Sequence, residues 1–328
     1  MQRREFIALI GSAAAWSLAA RAQQSSMPVV GFIRDGSADG SAHFVAAFRK
    51  GLSEAGYVEG QNVIVEYHWL EGHYDRVPAL VADLVRRRVA LIAMPGISGS
   101  AVLAAKAATT TIPIVFGVGG DPVRLGLVTS LARPSGNATG LNFFNTDVVA
   151  KRLLLLRELV PNAVRVAVLV NPRNLSTSQS NVREVQEAAP ALKLQVQIVN
   201  ASTIGEIDAA FASLAHERPD ALFVTGDAFF VSRRVQIATL AARDRIPAAY
   251  SIREYVTAGG LMSYGTDLAD MFHQIGTYTG SILKGAKPAD LPVLQTANFE
   301  FVINRTTAKA LGLAIPAGVL AIADEVIE

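Results

Sequence analysis

Cysteine is absent from the 328-residue chain, which excludes disulfide cross-links, thiol nucleophiles, thiolate metal centres and lipid attachment through a lipobox thiol. Histidine occurs only five times, never as H-E-x-x-H, and there is no G-x-S-x-G and no phosphate loop ending in Gly-Lys-Ser/Thr. Gly36 and Gly40 lack the spacing of a dinucleotide-binding glycine triplet. Charged residues make up 18% of the chain without any polybasic block. Nothing therefore favours a nucleic-acid or anionic-lipid partner. The apolar run from Phe6 to Ala20 falls short of the roughly 20 residues that cross a bilayer.

That run lies in an export signal. Arg3 and Arg4 form its basic head, and Ala20-Arg21-Ala22 is the small-x-small pattern after which signal peptidase cleaves. Residues 1–22 are thus expected to be a signal peptide, with the mature chain starting at Gln23. The paired arginines resemble a twin-arginine signal, so export is expected by that route or by the general secretory one. The leader holds three arginines and one glutamate, its net +2 equals that of the whole chain, and the mature protein is neutral. A 51% hydrophobic content supports extensive burial and a folded chain large enough for two lobes.

Short β-branched runs alternate with amphipathic stretches, the order of βα units around parallel sheets. Strands are expected at 29–33, 63–67, 90–94 and 113–116, and in a second series at 164–170, 196–199 and 221–224. Phe44, Val45, Phe48 and Leu52 recur at helical spacing, as do Val77, Leu80, Val81, Leu84 and Val85, and these stripes are core faces. Further helices are expected near 147–159, 180–192, 206–216, 232–243 and 267–283. The Gly/Pro/Asn-rich segment 133–140 separates the two series. Because a helix follows the second series, the chain is expected to cross between lobes more than once, as in a hinged clamp.

Several segments then carry a resemblance that covers nearly all of the mature chain. They are Gly56-Tyr57-Val58-Glu59-Gly60-Gln61-Asn62-Val63, Ile112-Pro113-Ile114-Val115-Phe116, Asp121-Pro122-Val123, Gly126-Leu127-Val128 and Gly136-Asn137-Ala138-Thr139-Gly140. Leu159-Val160-Pro161-Asn162, Val170-Asn171-Pro172 and Val302-Ile303-Asn304 continue the pattern. In order and spacing these resemble the ABC-transporter substrate-binding protein family that includes the tryptophan- and tyrosine-binding proteins. The resemblance implies a type I periplasmic-binding-protein fold: α/β, with two Rossmann-like lobes of parallel sheets joined by a multi-strand hinge. The expected lobes are 28–140 plus about 266–295, and about 141–265 plus 296–328.

Ligands of open α/β sheets lie beyond the carboxyl ends of the strands, where helix N-termini suit anions. The strand pattern points to loops 34–41, 95–100 and 117–121 in the first lobe, and to 142–144, 171–176, 225–229 and the turn around Tyr250 in the second. Asp35 and Ser37 lie in the first loop. Gly96 and Ser98 offer either a carboxylate cradle or a plain helix cap, since both use the same geometry. Asp227 is either the partner of a ligand cation or another N-cap. Asp121 before Pro122 shapes its turn first and contacts ligand second. Asn142 and Asn171 suit hydrogen bonds to ligand or to interlobe backbone, and Tyr250 and Tyr264 suit stacking on a planar ligand or packing at the hinge. The cluster Glu66, His68, Glu71, His73 and Asp75 reads as a solvated connection rather than a metal site.

The expected protein is a periplasmic receptor, monomeric and without a lipid anchor, that delivers an aromatic amino acid or an aromatic or organic acid to an ABC permease of the inner membrane. No catalytic activity, metal or cofactor is expected. The alternative is an exported sensor or enzyme built on the same two lobes. A repressor of this fold needs a DNA-binding module at the N-terminus, where this chain carries a signal peptide.

Overall fold

A computed structural model describes residues 27–143, 148–296 and 298–328. The expected signal peptide lies outside them, as do Phe144 and the first residue of the helix expected from 147. The first half alternates β1 (Val29–Arg34), α1 (Ala38–Glu54), β2 (Ile64–Trp69), α2 (Val77–Arg86), β3 (Leu91–Met94), α3 (Gly99–Ala108), β4 (Ile114–Val118) and β5 (Ala138–Asn142). The second runs through α4 (Val149–Leu159), β6 (Arg165–Val170), α5 (Leu175–Ala188), β7 (Gln195–Asn200), α6 (Ile204–Glu217) and β8 (Ala221–Val224). It continues with α7 (Ala228–Ser232), α8 (Arg234–Arg243), β9 (Ala248–Tyr250), α9 (Arg253–Thr257) and β10 (Met262–Thr266). The last elements are α10 (Leu268–Leu283), β11 (Leu294–Gln295), β12 (Phe299–Asn304), α11 (Arg305–Ala310), α12 (Ala317–Ala321) and β13 (Glu325–Ile327).

Two sheets result. The six-stranded one has the order β11-β5-β4-β3-β1-β2 and is parallel throughout, with Val29 opposite Ile64 and Ile92 opposite Ile114. The seven-stranded one has the order β13-β12-β10-β9-β8-β6-β7. It is mixed, because β12 runs antiparallel to β10 through the pair Met262 and Ile303. That reversal follows from the route of the chain: β11, parallel to β5, ends on the side that faces the second sheet, so β12 enters that sheet at the carboxyl end of β10.

Both faces of each sheet are covered by helices, so the central strands are buried outright; β3, β4, β5 and β8 show no exposed position. The stripe Phe44, Val45, Phe48 and Leu52 of α1 is buried, and each ring of this size contributes roughly 1.5–3 kcal/mol on burial. Helix α10 returns to pack along α1 at Gly51, Gly276 and Gly280, where a Cβ would collide with the facing backbone or with Ala55. This is why the helix after the second series belongs to the first sheet.

The chain crosses between sheets after β5, after β10 and after β11, and hydrogen bonds lace the three crossings together. Thr266 Oγ1 donates to Phe143 O (2.5 Å), Thr296 N donates to Asn142 O (3.0 Å), and Asp267 N donates to Asn298 O (3.1 Å). A three-stranded connection of this kind permits bending while it resists shear and separation.

Candidate functional site

Parallel strands leave their carboxyl ends on one side, and here the carboxyl ends of both sheets face each other. A cavity of about 50 Å³ lies between them. From the first sheet it receives Arg34 and Asp35 at the end of β1, Gly96, Ile97 and Ser98 after β3, Gly119 after β4 and Phe143 after β5. From the second it receives Asn174 and Thr177 after β6, Gly226, Asp227 and Ala228 after β8, and Ser251 and Ile252 after β9. Tyr74, Val231 and Leu268 complete the wall. A groove of about 540 Å³ adjoins it, with Ile97, Gly119 and Thr177 common to both.

Asp35 is buried, accepts hydrogen bonds from Gly36 N (2.9 Å) and Gly72 N (2.8 Å), and accepts a third from the Tyr74 hydroxyl. Across the cavity, Asp227 caps α7 by accepting from Phe229 N (3.0 Å) and Phe230 N (3.3 Å). Asn171 Nδ2 and Asn174 Nδ2 each donate to it at 3.0 Å. Asp227 is thus both a helix cap and a cavity wall, so its two sequence readings coexist. Burial first, and then the nearby Asp35, raise the Asp227 carboxyl from its ordinary 3.8 to about 6. Burial, reinforced by Asp227 and Asp35, holds the Tyr74 phenol far above its ordinary range.

Arg34 is 2% exposed and its Nε and Nη1 have no hydrogen-bond partner. Its guanidinium carbon sits 4.5 Å from the ring centroids of both Phe44 and Phe272. Burial lowers its pKa to about 9. Neither neighbouring acid bonds it, since Asp35 is held as described and Glu254 Oε1 meets His43 Nε2 at 2.8 Å.

The remaining expected residues divide by place. Ser37 Oγ accepts from Gly40 N (3.3 Å) as the N-cap of α1. Gly96, with φ +66°, and Ser98 line the cavity, but Gly96 N and Ile97 N both donate to Gly117 O, and Ser98 Oγ accepts from Ala101 N (3.4 Å). The loop is a cap whose first two amides are committed. Asp121 accepts from Val123 N and Arg124 N, shaping its turn at the rim of the larger groove. Asn142 lines the same groove while its Nδ2 donates to Val118 O and Gly120 O. Asn171 stands behind Asp227, off the cavity wall, and accepts from Arg173 N and Ser202 Oγ.

The structure moves both expected tyrosines away from the cavity. Tyr250 is fully buried and stacked on Tyr255, centroids 4.5 Å apart, because its β9 position points it into the hydrophobic layer, leaving Ser251 and Ile252 to reach the cleft. Tyr264 packs against Phe299 and Phe301 of β12. Sequence reasoning did not single out Arg34, Tyr74 or Asn174. Arg34 ends a buried strand, and a cation at that position is the signal that marks it. Among the described residues no group of three or more His, Cys, Asp or Glu is placed to hold a metal ion, and Glu66 of the acidic connection pairs instead with Arg87 (2.6 Å).

Two α/β lobes with a shared cavity between their strand ends define a two-lobed ligand-binding protein of the type I periplasmic-binding fold. The chain belongs to the ABC transporter substrate-binding protein family, whose family model matches residues 26–327. A tyrosine-binding protein of Clostridioides difficile (strain R20291) is 29% identical over 266 residues, which are 81% of this chain and 75% of that protein. A solved ABC domain from Streptococcus pneumonia in complex with L-Trp is 27% identical with a TM-score of 0.80, covering 92% of this chain and 100% of its own. A periplasmic binding protein/LacI transcriptional regulator from Alkaliphilus metalliredigens QYMF shares the fold alone, at 9% identity and a TM-score of 0.59 over 84% of this chain and 97% of its own. Family and relative alike are described as binding proteins rather than enzymes.

Proposed function

We propose that the protein is an exported receptor that closes its two lobes on a small aromatic zwitterion, an amino acid of the tryptophan or tyrosine kind, and presents it to an ABC permease from the periplasm. The observation that carries this reading is one carboxylate from each lobe, Asp35 and Asp227, on the wall of the same cavity. A ligand ammonium that meets both binds the closed arrangement better than either lobe alone, and this difference in affinity is what drives closure. Ile97, Phe143, Ile252 and Leu268 supply apolar wall for a ring. The relatives that bind tyrosine and L-Trp support the same ligand class. The two lobes are assigned to 28–142 plus about 266–295 and to about 148–265 plus 298–328, the first boundary lying beyond the expected residue 140 because Leu141 and Asn142 pair with β4 and β11 in the first sheet, with the receptor acting as a monomer.

A cavity of about 50 Å³ is well below the roughly 300–1,000 Å³ of small-molecule sites, so binding requires the lobes to part before they close. The test is a thermal-shift screen of the chain from Gln23 with aromatic amino acids, aromatic acids, sugars and polyamines. A ligand bound only by the folded state at 100 times its Kd adds about 2.7 kcal/mol of stability. L-Tryptophan or L-tyrosine is expected to raise the melting temperature, and a response to sugars or polyamines alone overturns the assignment. N-terminal sequencing of material recovered from the periplasm is expected to begin at Gln23.

A further inference from the structure

The anionic half of a zwitterion also needs a partner, and the loop of residues 95–100 has committed the amides of Gly96 and Ile97 to Gly117 O and uses the Ser98 oxygen as the acceptor that caps its own helix. Arg34 is the one cationic side chain on the cavity wall among the described residues. Its Nε and Nη1 are buried without an acceptor. The flanking Phe44 and Phe272 rings stabilise the charge, but a ring face does not satisfy N–H donors, and a guanidinium left unpaired in the interior is costly. The acids nearest to it, Asp35 and Glu254, are turned to Tyr74, backbone amides and His43.

We infer that Arg34 is the carboxylate anchor of the site. Resting on the receptor reading above, the ligand is a carboxylic acid whose carboxylate supplies the acceptors that the Arg34 N–H groups lack, while its cationic group faces Asp35 and Asp227. The strongest charge contact then comes from the end of β1, a rigid strand, and not from a helix N-terminus. Because the guanidinium is already desolvated and held by two rings, it loses little further freedom when the carboxylate arrives, which favours affinity.

The experiment is calorimetric titration of the mature wild-type, Arg34→Met and Arg34→Lys proteins. The probes are L-tryptophan, L-tyrosine, their carboxamides, indole-3-propionate, 3-(4-hydroxyphenyl)propionate and benzoate. Wild type is expected to prefer an acid to its carboxamide by about 100-fold or more, the scale of truncating one partner of a buried charge pair. Arg34→Met is expected to lose that preference and Arg34→Lys to keep part of it. Arg34→Met fills the space between the rings without a charge and is expected to melt no lower than wild type in the absence of probe. Tight binding of L-tryptophan or L-tyrosine with no acid-over-amide preference in wild type, or with a preference unchanged in Arg34→Met, overturns the anchor but leaves the amino-acid receptor standing. Arg34-dependent binding of a carboxylate other than the two amino acids supports the anchor and overturns the amino-acid assignment. If no carboxylate of the panel binds wild type, both fall.

Discussion

At Asp227 four donors converge on one carboxylate, two backbone amides of α7 and two asparagine side chains, and yet the group is harder to ionise than a free aspartate. Removal from water, with Asp35 across the cavity, outweighs the four bonds. The folded protein therefore takes up a proton that the unfolded chain does not hold between about pH 4 and pH 6. The stability that the protonated group contributes is complete below pH 4 and is lost as pH rises through 6, by about 3 kcal/mol at roughly 1.4 kcal/mol per pH unit. Asp227→Asn is the clean comparison, because asparagine caps a helix about as well as aspartate. Its amide also finds an acceptor in the Asn174 Oδ1, which is buried without a partner, once that side chain turns over. Denaturant melts at pH 4 and pH 7 are expected to show wild type losing about 3 kcal/mol relative to Asp227→Asn between those values, and parallel curves for the two proteins would contradict the assignment. The substitution is also expected to weaken L-tryptophan or L-tyrosine at pH 7 by about 10- to 100-fold, the scale of a hydrogen bond to a charged group.

At the scale of single elements, Ser98 and the helix it begins separate two roles that look alike in sequence. Ser98 Oγ accepts from Ala101 N and lies 3.1 Å from Ser100 Oγ, so its first work is to hold the start of α3. Ser98→Ala is expected to lower unfolding stability by about 1 kcal/mol while changing the affinity for the amino-acid probes less than Arg34→Met does. Paired melts and titrations read both quantities, and a large loss of affinity at unchanged stability would return the anion to the helix N-terminus. The expected strands at 29–33, 113–116, 164–170 and 221–224 lie within one or two residues of β1, β4, β6 and β8, because apolar β-branched runs between helical stripes leave little choice of state. Strand β5 was not legible. Its Ala-Thr-Gly-Leu-Asn reads as turn, and only the close approach of Gly140 to the Phe116 carbonyl, where a Cβ would collide, reveals a central strand. Strand β11 is two residues long, too short for any periodicity.

For the molecule as a whole, the lobes meet in the closed arrangement. Arg234 Nη1 donates to Gly40 O (3.3 Å), His43 meets Glu254 (2.8 Å), and Gly36 and Gly40 face Ala228 and Ser232 with no side chain between them. The cavity is too small for the proposed ligand, so an open population is expected in solution. Small-angle scattering is expected to show a smaller radius of gyration at saturation with L-tryptophan or L-tyrosine than without. An unchanged radius at saturation tells against closure as a population shift. Arg234→Ala removes a bond across the interface and is expected to enlarge the ligand-free particle without lowering its unfolding free energy by more than about 1 kcal/mol.

The sequence by itself determined the class of the molecule: the βα alternation, the buried stripes of α1 and α2, and the loops from which a site can be built. Each is set by local pattern, since strand and helix periods and the turn residues between them are written in consecutive positions. It also placed Asp35, Gly96, Ser98 and Asp227 in those loops. The tertiary structure decided which of them share a wall. Tyr250 and Ser251 are neighbours in the chain, yet the pleat of β9 sends one into the core and the end of the strand brings the other to the cleft. The sequence marks Arg34 only as a cation that ends an apolar strand, and its importance arises when Phe44 and Phe272, from helices far apart in sequence, close around a cation whose nearest acids are held by other partners. Burial and the commitment of partners are properties of the packed molecule, and no local pattern records them.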